Sequence, residues 1–293
     1  MVDRPRFTVL LPTHNRPEVL TFAIQSVLAQ DFENFELAVV GDGCTPETAA
    51  LMAGFDDPRV LWFDLPKAPG FGYANRNIAL SRTIGELIAF LGHDNLYLPD
   101  HLSRMNNHFQ RDACQFAYSR PLWIDDEGVV MPCYVNLHEP VARRSFMTQA
   151  NILPASTIVH RRSVLDTVGM WPEDIEHTGD WDLWKRMFNA FSGGDFLLCD
   201  PMPSTLHFRA DWRDPSRWMP GSMAYTAALH RAGGFWPQGL DLKLDPKGDL
   251  PQGQVWAKMQ VNARDVTNRL RHGTRFLQDA LAHNATLDVN FTR

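Results

Sequence analysis

Apolar, partly β-branched runs alternate with helix-patterned segments through the first hundred residues, and this alternation constrains the fold more than any other feature. Phe7–Leu11, Phe35–Val40, Val60–Phe63 and Leu87–Leu91 read as buried strands. Between them, Leu20, Ile24, Val27 and Leu28 recur at helical spacing, Thr45 or Pro46 opens a second helix through Ala53, and Tyr73–Ser81 reads as a third. Asn15 with Glu18 three residues on and Pro17 between them predicts a capped start for the first helix. Strands separated by helices imply an α/β fold with a parallel sheet covered on both faces.

In open α/β sheets, ligands bind beyond the carboxyl ends of the strands. The polar clusters of this chain fall there: Thr13-His14-Asn15-Arg16, Asp42 between two glycines, and His93-Asp94-Asn95. Asp, Asn and Gly also form turns, but three such clusters on one sheet edge point to a site.

Beyond Arg111 the pattern loosens. Gln115–Tyr118, Val129–Met131 and Ser156–His160 read as short strands, with a tight turn at Asp125–Gly128. Arg162–Val168 and Asp180–Phe191 read as helices, and a helical tail covers Gln254–Ala282. The chain divides into an α/β part, residues 1–210, and a mainly helical extension, 211–293.

Composition excludes several classes. The 293 residues carry 28 basic and 34 acidic side chains, a net charge of −6, which argues against broad nucleic-acid binding. Apolar and aromatic content is too high for a disordered chain, and no apolar run is long enough to span a bilayer. The four cysteines are scattered, which suits reduced thiols in a cytoplasmic protein.

Several residues are equipped for chemistry. Asp42 can accept hydrogen bonds from a base or ribose. Asp94, at the end of a buried strand, can anchor Mg²⁺ or Mn²⁺ under a diphosphate or cap a turn, and His93 and His207 are further candidate ligands or structural histidines. Arg76 and Asn77, read as opening a helix, suit a pyrophosphate. Asp180 and Asp182 flank Trp181, cannot share a helix face, and leave room for one general base, its basicity raised by the indoles of Trp181 and Trp184.

Four segments resemble the family 2 glycosyltransferases, of GT-A fold. Val9–Arg16 resembles the opening strand and nucleotide loop, and Ala38–Thr45 the VVDDGST segment. Asn75–Asn77 through Ile88–Pro99 resembles the ARN helix and the strand with its DXD-type motif. Gly179–Trp184 resembles the ED-Y/W-DLW segment, whose first Asp is the base. Gly41 and Gly92 stand where the family often has acids, and Gly179 replaces a Glu. The resemblance implies an inverting enzyme of cell-surface glycan or glycoconjugate synthesis. It implies Asp180 as base and Asp94 with His207 on a divalent metal. Pro12, Thr13, Asn15, Arg16, Asp42, Arg76, His93 and Asn95 would hold a nucleotide-diphosphate sugar. The acceptor would be a glycan, lipid-linked or small hydroxyl compound. The alternative is a catalytically weakened GT-A module that binds nucleotide sugar or glycan for a partner. The tail's basic residues, among them Lys258, Arg264, Arg269, Arg271 and Arg275, can rest on an anionic membrane at the inner face, or its helix can pack on the core or a second subunit.

Overall fold

Strands β1 (Phe7–Thr13), β2 (Phe35–Asp42), β3 (Val60–Leu65) and β4 (Leu87–Phe90) lie parallel. β1 pairs with β2 from Phe7↔Phe35 to Thr13↔Gly41 and with β4 from Phe7↔Leu87 to Leu10↔Phe90, while β2 pairs with β3 from Leu37↔Val60 to Asp42↔Leu65. This register brings Thr13, Asp42 and the turn after β4 to one sheet edge. β2 and β4 are buried along their full length, as a strand covered on both faces must be. The computed structural model describes residues 4–191, 196–209, 212, 214, 221–233 and 236–285.

Helices α1 (Pro17–Leu28), α2 (Pro46–Ala53) and α3 (Tyr73–Ser81) follow β1, β2 and β3. The apolar face of α1, carrying Leu20, Ala23, Ile24 and Val27, packs on Val9, Leu11, Leu37 and Ala89 in one buried cluster. The expected capping box at Asn15 and Glu18 does not form. The N-cap is Arg16, without a side-chain cap, and Pro17 opens the helix. Asn15 adopts a left-handed φ of 51° and accepts the Thr45 backbone N–H at 2.7 Å, tying the β1–α1 loop to the β2–α2 loop.

The chain continues through β5 (Leu96–Tyr97), α4 (His101–His108), β6 (Phe116–Ile124), β7 (Val130–Pro132), α5 (Pro140–Thr148), β8 (Ile158–Arg161), α6 (Val164–Val168), α7 (Gly179–Ala190) and β9 (Leu197–Phe208). β8 pairs antiparallel with β4 and with β6, so the sheet is parallel through β3-β2-β1-β4 and turns antiparallel at β8. Ser156 and Thr157, expected in a strand, form a 3-10 turn that delivers β8 at Ile158. β6 runs six residues past its expected end at Tyr118, as its burial along Phe116–Ile124 permits. α4, α5 and β9 are found only in the structure.

Two compact units emerge, residues 1–121 with 135–205 and residues 122–134 with 206–293. The boundary expected at 210 and 211 lies outside the described residues. Within the second unit, α8 (Gly221–Arg231) and α9 (Pro251–Ala285) follow, and α9 is interrupted at Asn262, where φ is −160° and ψ 82°. Among the described residues, no helix is long and apolar enough to cross a membrane.

His160 sits in the centre of the first unit's sheet, fully buried and stacked on Phe90. Its Nδ1 lies 2.8 Å from the Arg161 carbonyl. Burial pushes its pKa down to about 4, with Arg162 nearby adding to the shift. The unfolded chain therefore takes up a proton that the folded chain refuses. Stability from this group is present above pH 6.5 and is lost as pH falls from 6.5 toward 4, up to about 3 kcal/mol. The difference in unfolding free energy between the wild type and His160→Phe, measured by urea titration from pH 7.5 to 4.5, should change across this window. A pH-independent difference contradicts the assignment.

Candidate functional site

A cleft of about 390 Å³ opens at the carboxyl ends of β1, β2 and β4. Pro12, Thr13 and His14 line it from the end of β1, Val40 and Asp42 from β2, and Gly92, His93 and Asp94 from the turn after β4. Lys67, the segment Gly70–Gly72 and Arg76 close the other side. Pro12, Thr13, Asp42, Arg76, His93 and Asp94 are thus brought together as expected residues of one site. Asn15, Arg16, Asn95, Asp180 and His207 are not among the lining residues.

Asp42 is buried, and both its oxygens accept hydrogen bonds. Oδ2 takes Lys67 Nζ at 2.6 Å, and Oδ1 takes Asn75 Nδ2 and the Ala68 backbone N–H, each at 2.8 Å. Lys67 Nζ also donates to the Ala68 and Gly70 carbonyls. This lysine was not singled out from the sequence. The signal that would have found it is its place two residues beyond the carboxyl end of β3. Beside Asp42, the His14 Nδ1 lies 2.7 Å from the Asp42 carbonyl. Thr13 Oγ1 is buried at the cleft wall with no protein hydrogen-bond partner, the state of a group that a bound ligand satisfies.

The turn after β4 is held by Ser156, whose Oγ accepts the Gly92 backbone N–H at 2.9 Å and Asn95 Nδ2 at 3.1 Å. Asn95 therefore shapes the turn. Burial pulls the His93 pKa below its ordinary value, against the pull of Asp94, so this imidazole is neutral at pH 7. Arg16 pairs with Glu18 at 2.8 Å. His207 lies near the end of β9 in the second unit, and burial with the Arg209 charge pushes its pKa down to about 3.

Arg76 does not open its helix: α3 starts at Tyr73, capped by Gly72, and the arginine is four positions in. Its guanidinium reaches Asp180 instead, Nη1 to Oδ1 at 2.6 Å, while Nη2 donates to the Phe71 carbonyl. Asn77 likewise turns from the cleft and binds the Trp171 carbonyl and Glu173. The indole beside Asp180 is that of Trp171, whose Nε1 donates to Oδ1 at 2.8 Å. The expected neighbours do other work. Trp181 Nε1 donates to the Phe146 carbonyl, and Trp184 is a core residue against Phe90 and Phe116. Asp182 pairs with Arg186 one turn on, as the angular separation from Asp180 requires.

Asp180 enters α7 through a tight junction. Thr178, the N-cap, has a left-handed φ of 66°. Gly179 packs on Tyr73 so closely that a Cβ there would lie 2.6 Å from the ring, and its N–H donates to the Tyr73 hydroxyl at 2.9 Å. The glycine at this position is thereby explained, because the Tyr73 ring fills the space a side chain would need. Both recorded hydrogen bonds to the Asp180 carboxylate end on Oδ1. Oδ2 accepts none among the described residues, and a quarter of the side chain is exposed.

Among the described residues, no three His, Cys, Asp or Glu side chains converge as a metal cluster. Asp94 is the carboxylate of the turn after β4 that faces the cleft. One carboxylate completed by diphosphate oxygens is a donor set that Mg²⁺ or Mn²⁺ accepts, so the residues present fit a cation that arrives with its ligand.

Residues 8–169 match glycosyl transferase family 2, and the chain belongs to that family. It is 27% identical over 279 residues to protein CgeD of Bacillus subtilis strain 168, covering 88% of this chain and 62% of CgeD. It is 34% identical over 113 residues to the succinoglycan biosynthesis protein ExoO of Rhizobium meliloti strain 1021, covering 39% of this chain and 32% of ExoO. This chain thus spans about three fifths of the length of CgeD. The fold is similar to that of S. aureus TarS 1-349 in complex with UDP-GlcNAc, with a TM-score of 0.57, 18% identity, and coverage of 90% of this chain and 72% of that one. It is also similar to the mannosyltransferase PcManGT of Pyrobaculum calidifontis in complex with GDP-Man and Mn²⁺, with a TM-score of 0.52, 15% identity, and coverage of 97% and 88%. The fold is therefore GT-A.

Gly72 has a φ of 72°, and a Cβ there would lie 2.7 Å from the Asp42 carboxyl carbon. Gly233 has a φ of 69°, with nothing within 4 Å of its Cβ position. Both alanine variants carry the left-handed cost of about 1–2 kcal/mol, and only Gly72→Ala adds the clash. Its unfolding free energy should therefore fall further than that of Gly233→Ala. Equal losses by denaturant titration contradict this packing.

Proposed function

We propose that this family 2 glycosyl transferase moves a sugar from a nucleotide-diphosphate donor to an acceptor hydroxyl, with inversion at the anomeric carbon. The reading rests chiefly on the asymmetry of Asp180. Arg76 and Trp171 fix Oδ1 from two directions and so set the plane of the carboxylate, while Oδ2 takes no donor among the described residues. A general base needs that arrangement, one oxygen held and the other open to a hydroxyl.

In the proposed reaction, Asp180 Oδ2 takes the proton of the acceptor hydroxyl as its oxygen attacks the anomeric carbon. The bond from that carbon to the diphosphate breaks on the opposite face, and the electron pair leaves with the nucleotide. The base end of the donor would lie at Asp42 and His14, where β1 and β2 end. The Asp42 carboxylate is pre-oriented by Lys67 and Asn75, so it costs no reorganisation on binding. Thr13 Oγ1 would gain there the partner it lacks. Asp94 would hold a divalent cation, which neutralises charge developing on the diphosphate; a solved structure of similar fold contains Mn²⁺ with GDP-Man. The likeness to a succinoglycan biosynthesis protein supports a role in polysaccharide assembly.

Asp180→Asn should reduce transfer by at least about a thousandfold while leaving donor affinity within about twofold by calorimetry. Near-parental turnover removes Asp180 from the mechanism. Unchanged donor binding with no turnover in the wild type itself would favour a binding module. For the metal, Asp94→Ala should abolish the difference between UDP or GDP titrations run with Mn²⁺ and with EDTA. A wild type whose titrations are identical in the two buffers rejects the cation at Asp94.

A further inference from the structure

We propose that the exposed ring of Phe71, backed by His177, is a stacking platform for a sugar ring of the acceptor, which makes the acceptor a saccharide. The inference rests on the glycosyl transfer reading above and specifies its acceptor.

Phe71 is 58% exposed, although it lies in the wall of the cleft. An aromatic ring left in water forgoes the free energy of burial, and this backbone holds it there. Gly70 and Gly72, on either side, both have left-handed φ. Gly70 also packs against the 175–177 segment, where a Cβ would lie 2.9 Å from the Glu176 carbonyl. Phe71 therefore cannot fold back against Glu176 without breaking this contact. The His177 ring stands 5.4 Å from the Phe71 ring at 54°, and the Tyr73 ring 6.5 Å from it at 62°.

The platform is joined to Asp180 through Arg76, which lines the cleft. The Phe71 carbonyl accepts Arg76 Nη2, Arg76 holds Asp180, and His177 precedes Asp180 by three residues on the same segment. Tyr73 binds the Gly179 N–H. A group that meets Phe71 and His177 therefore lies beside the carboxylate proposed to take the acceptor's proton. Hydroxyls on a pyranose point outward around the ring, and its C–H faces are apolar. It matches a flat apolar surface next to a hydrogen-bonding carboxylate, as an aliphatic polyol does not. A nucleobase is the other planar candidate. Gly70 and Gly72 on either side of Phe71 touch Lys67 and Asp42, so the nucleotide titration of Phe71→Ala is what separates a base from a sugar ring.

Saturation-transfer NMR on the full chain, with methyl β-D-glucopyranoside, methyl β-D-galactopyranoside and methyl α-D-mannopyranoside as probes and glycerol as the ring-less control, tests the platform. The wild type should transfer saturation to ring C–H protons of at least one pyranoside and not to glycerol. Phe71→Ala should weaken the effect roughly tenfold, one lost contact of about 1.4 kcal/mol, and Phe71→Trp should restore it. His177→Ala should weaken it without abolishing it. UDP and GDP affinities should be the same in wild type and Phe71→Ala. Pyranoside signals that survive in Phe71→Ala, no pyranoside signal in the wild type, or equal signals from glycerol overturn the proposal. A loss of UDP or GDP affinity in Phe71→Ala also overturns it and assigns the ring to the base. A wild type that binds no nucleotide would instead defeat the donor reading, and the pyranoside arm is read without nucleotide.

Discussion

The ion pair between Arg76 and Asp180 is the contact on which the proposed chemistry depends. It joins α3 to α7 across 104 residues of sequence. Arg76 is seated over the Tyr73 and Trp171 rings, 4.9 and 5.8 Å from their centroids, so its charge is held by aromatic faces as well as by the carboxylate. Trp171 closes the arrangement by donating to the same carboxylate oxygen. Each partner is supported in turn: Asn77 exchanges two hydrogen bonds with the Trp171 backbone, and Tyr73 binds the N–H that precedes Asp180. Removing any one would loosen a carboxylate whose usefulness depends on where its second oxygen points.

The sheet supplies the frame. Parallel pairing of β1, β2 and β4 sends their carboxyl ends to one edge, and buried strands leave their terminal residues little freedom. The loops at that edge are then locked to one another instead of to the core. Asn15 joins the first loop to the second, Lys67 joins the third strand's end to Asp42, and Ser156 holds the turn that carries Asp94. Thr178 and Asn15, neither of them glycine, have left-handed φ. Strained backbone of this kind persists where surrounding contacts over-determine it, and it gathers at working sites.

Much of this was legible in the sequence, for physical reasons. Buried strands such as Leu87–Phe90 need unbroken apolar runs, and α1 needs an apolar stripe, so the alternation of the first half could be read directly. Pro12, Thr13, Asp42, His93 and Asp94 could be placed at the cleft because strand ends mark the sheet edge. What was missed depends on tertiary contacts that local patterns do not encode. The role of Arg76 is set by Asp180, far along the chain, and not by the helix start nearby. Trp171, not the sequence-adjacent Trp181, meets the carboxylate, because a residue adjacent on a helix points to another face. Asn15 has a capping residue's chemistry, but its left-handed φ sends its side chain to a neighbouring loop. α4 and α5, eight and nine residues long, give a periodic pattern few turns in which to show, and Pro201 and Pro203 interrupt the apolar run of β9.

The central claim is a single displacement at the anomeric carbon, with Asp180 as the base. The configuration of the product tests it most directly. With a donor of known anomeric configuration, one-bond C–H coupling at the transferred sugar's anomeric carbon, read by NMR before any mutarotation, reports the outcome. This account predicts the anomeric configuration opposite to that of the donor. Retention would require a second displacement or a front-face route, and would contradict the role given to Asp180.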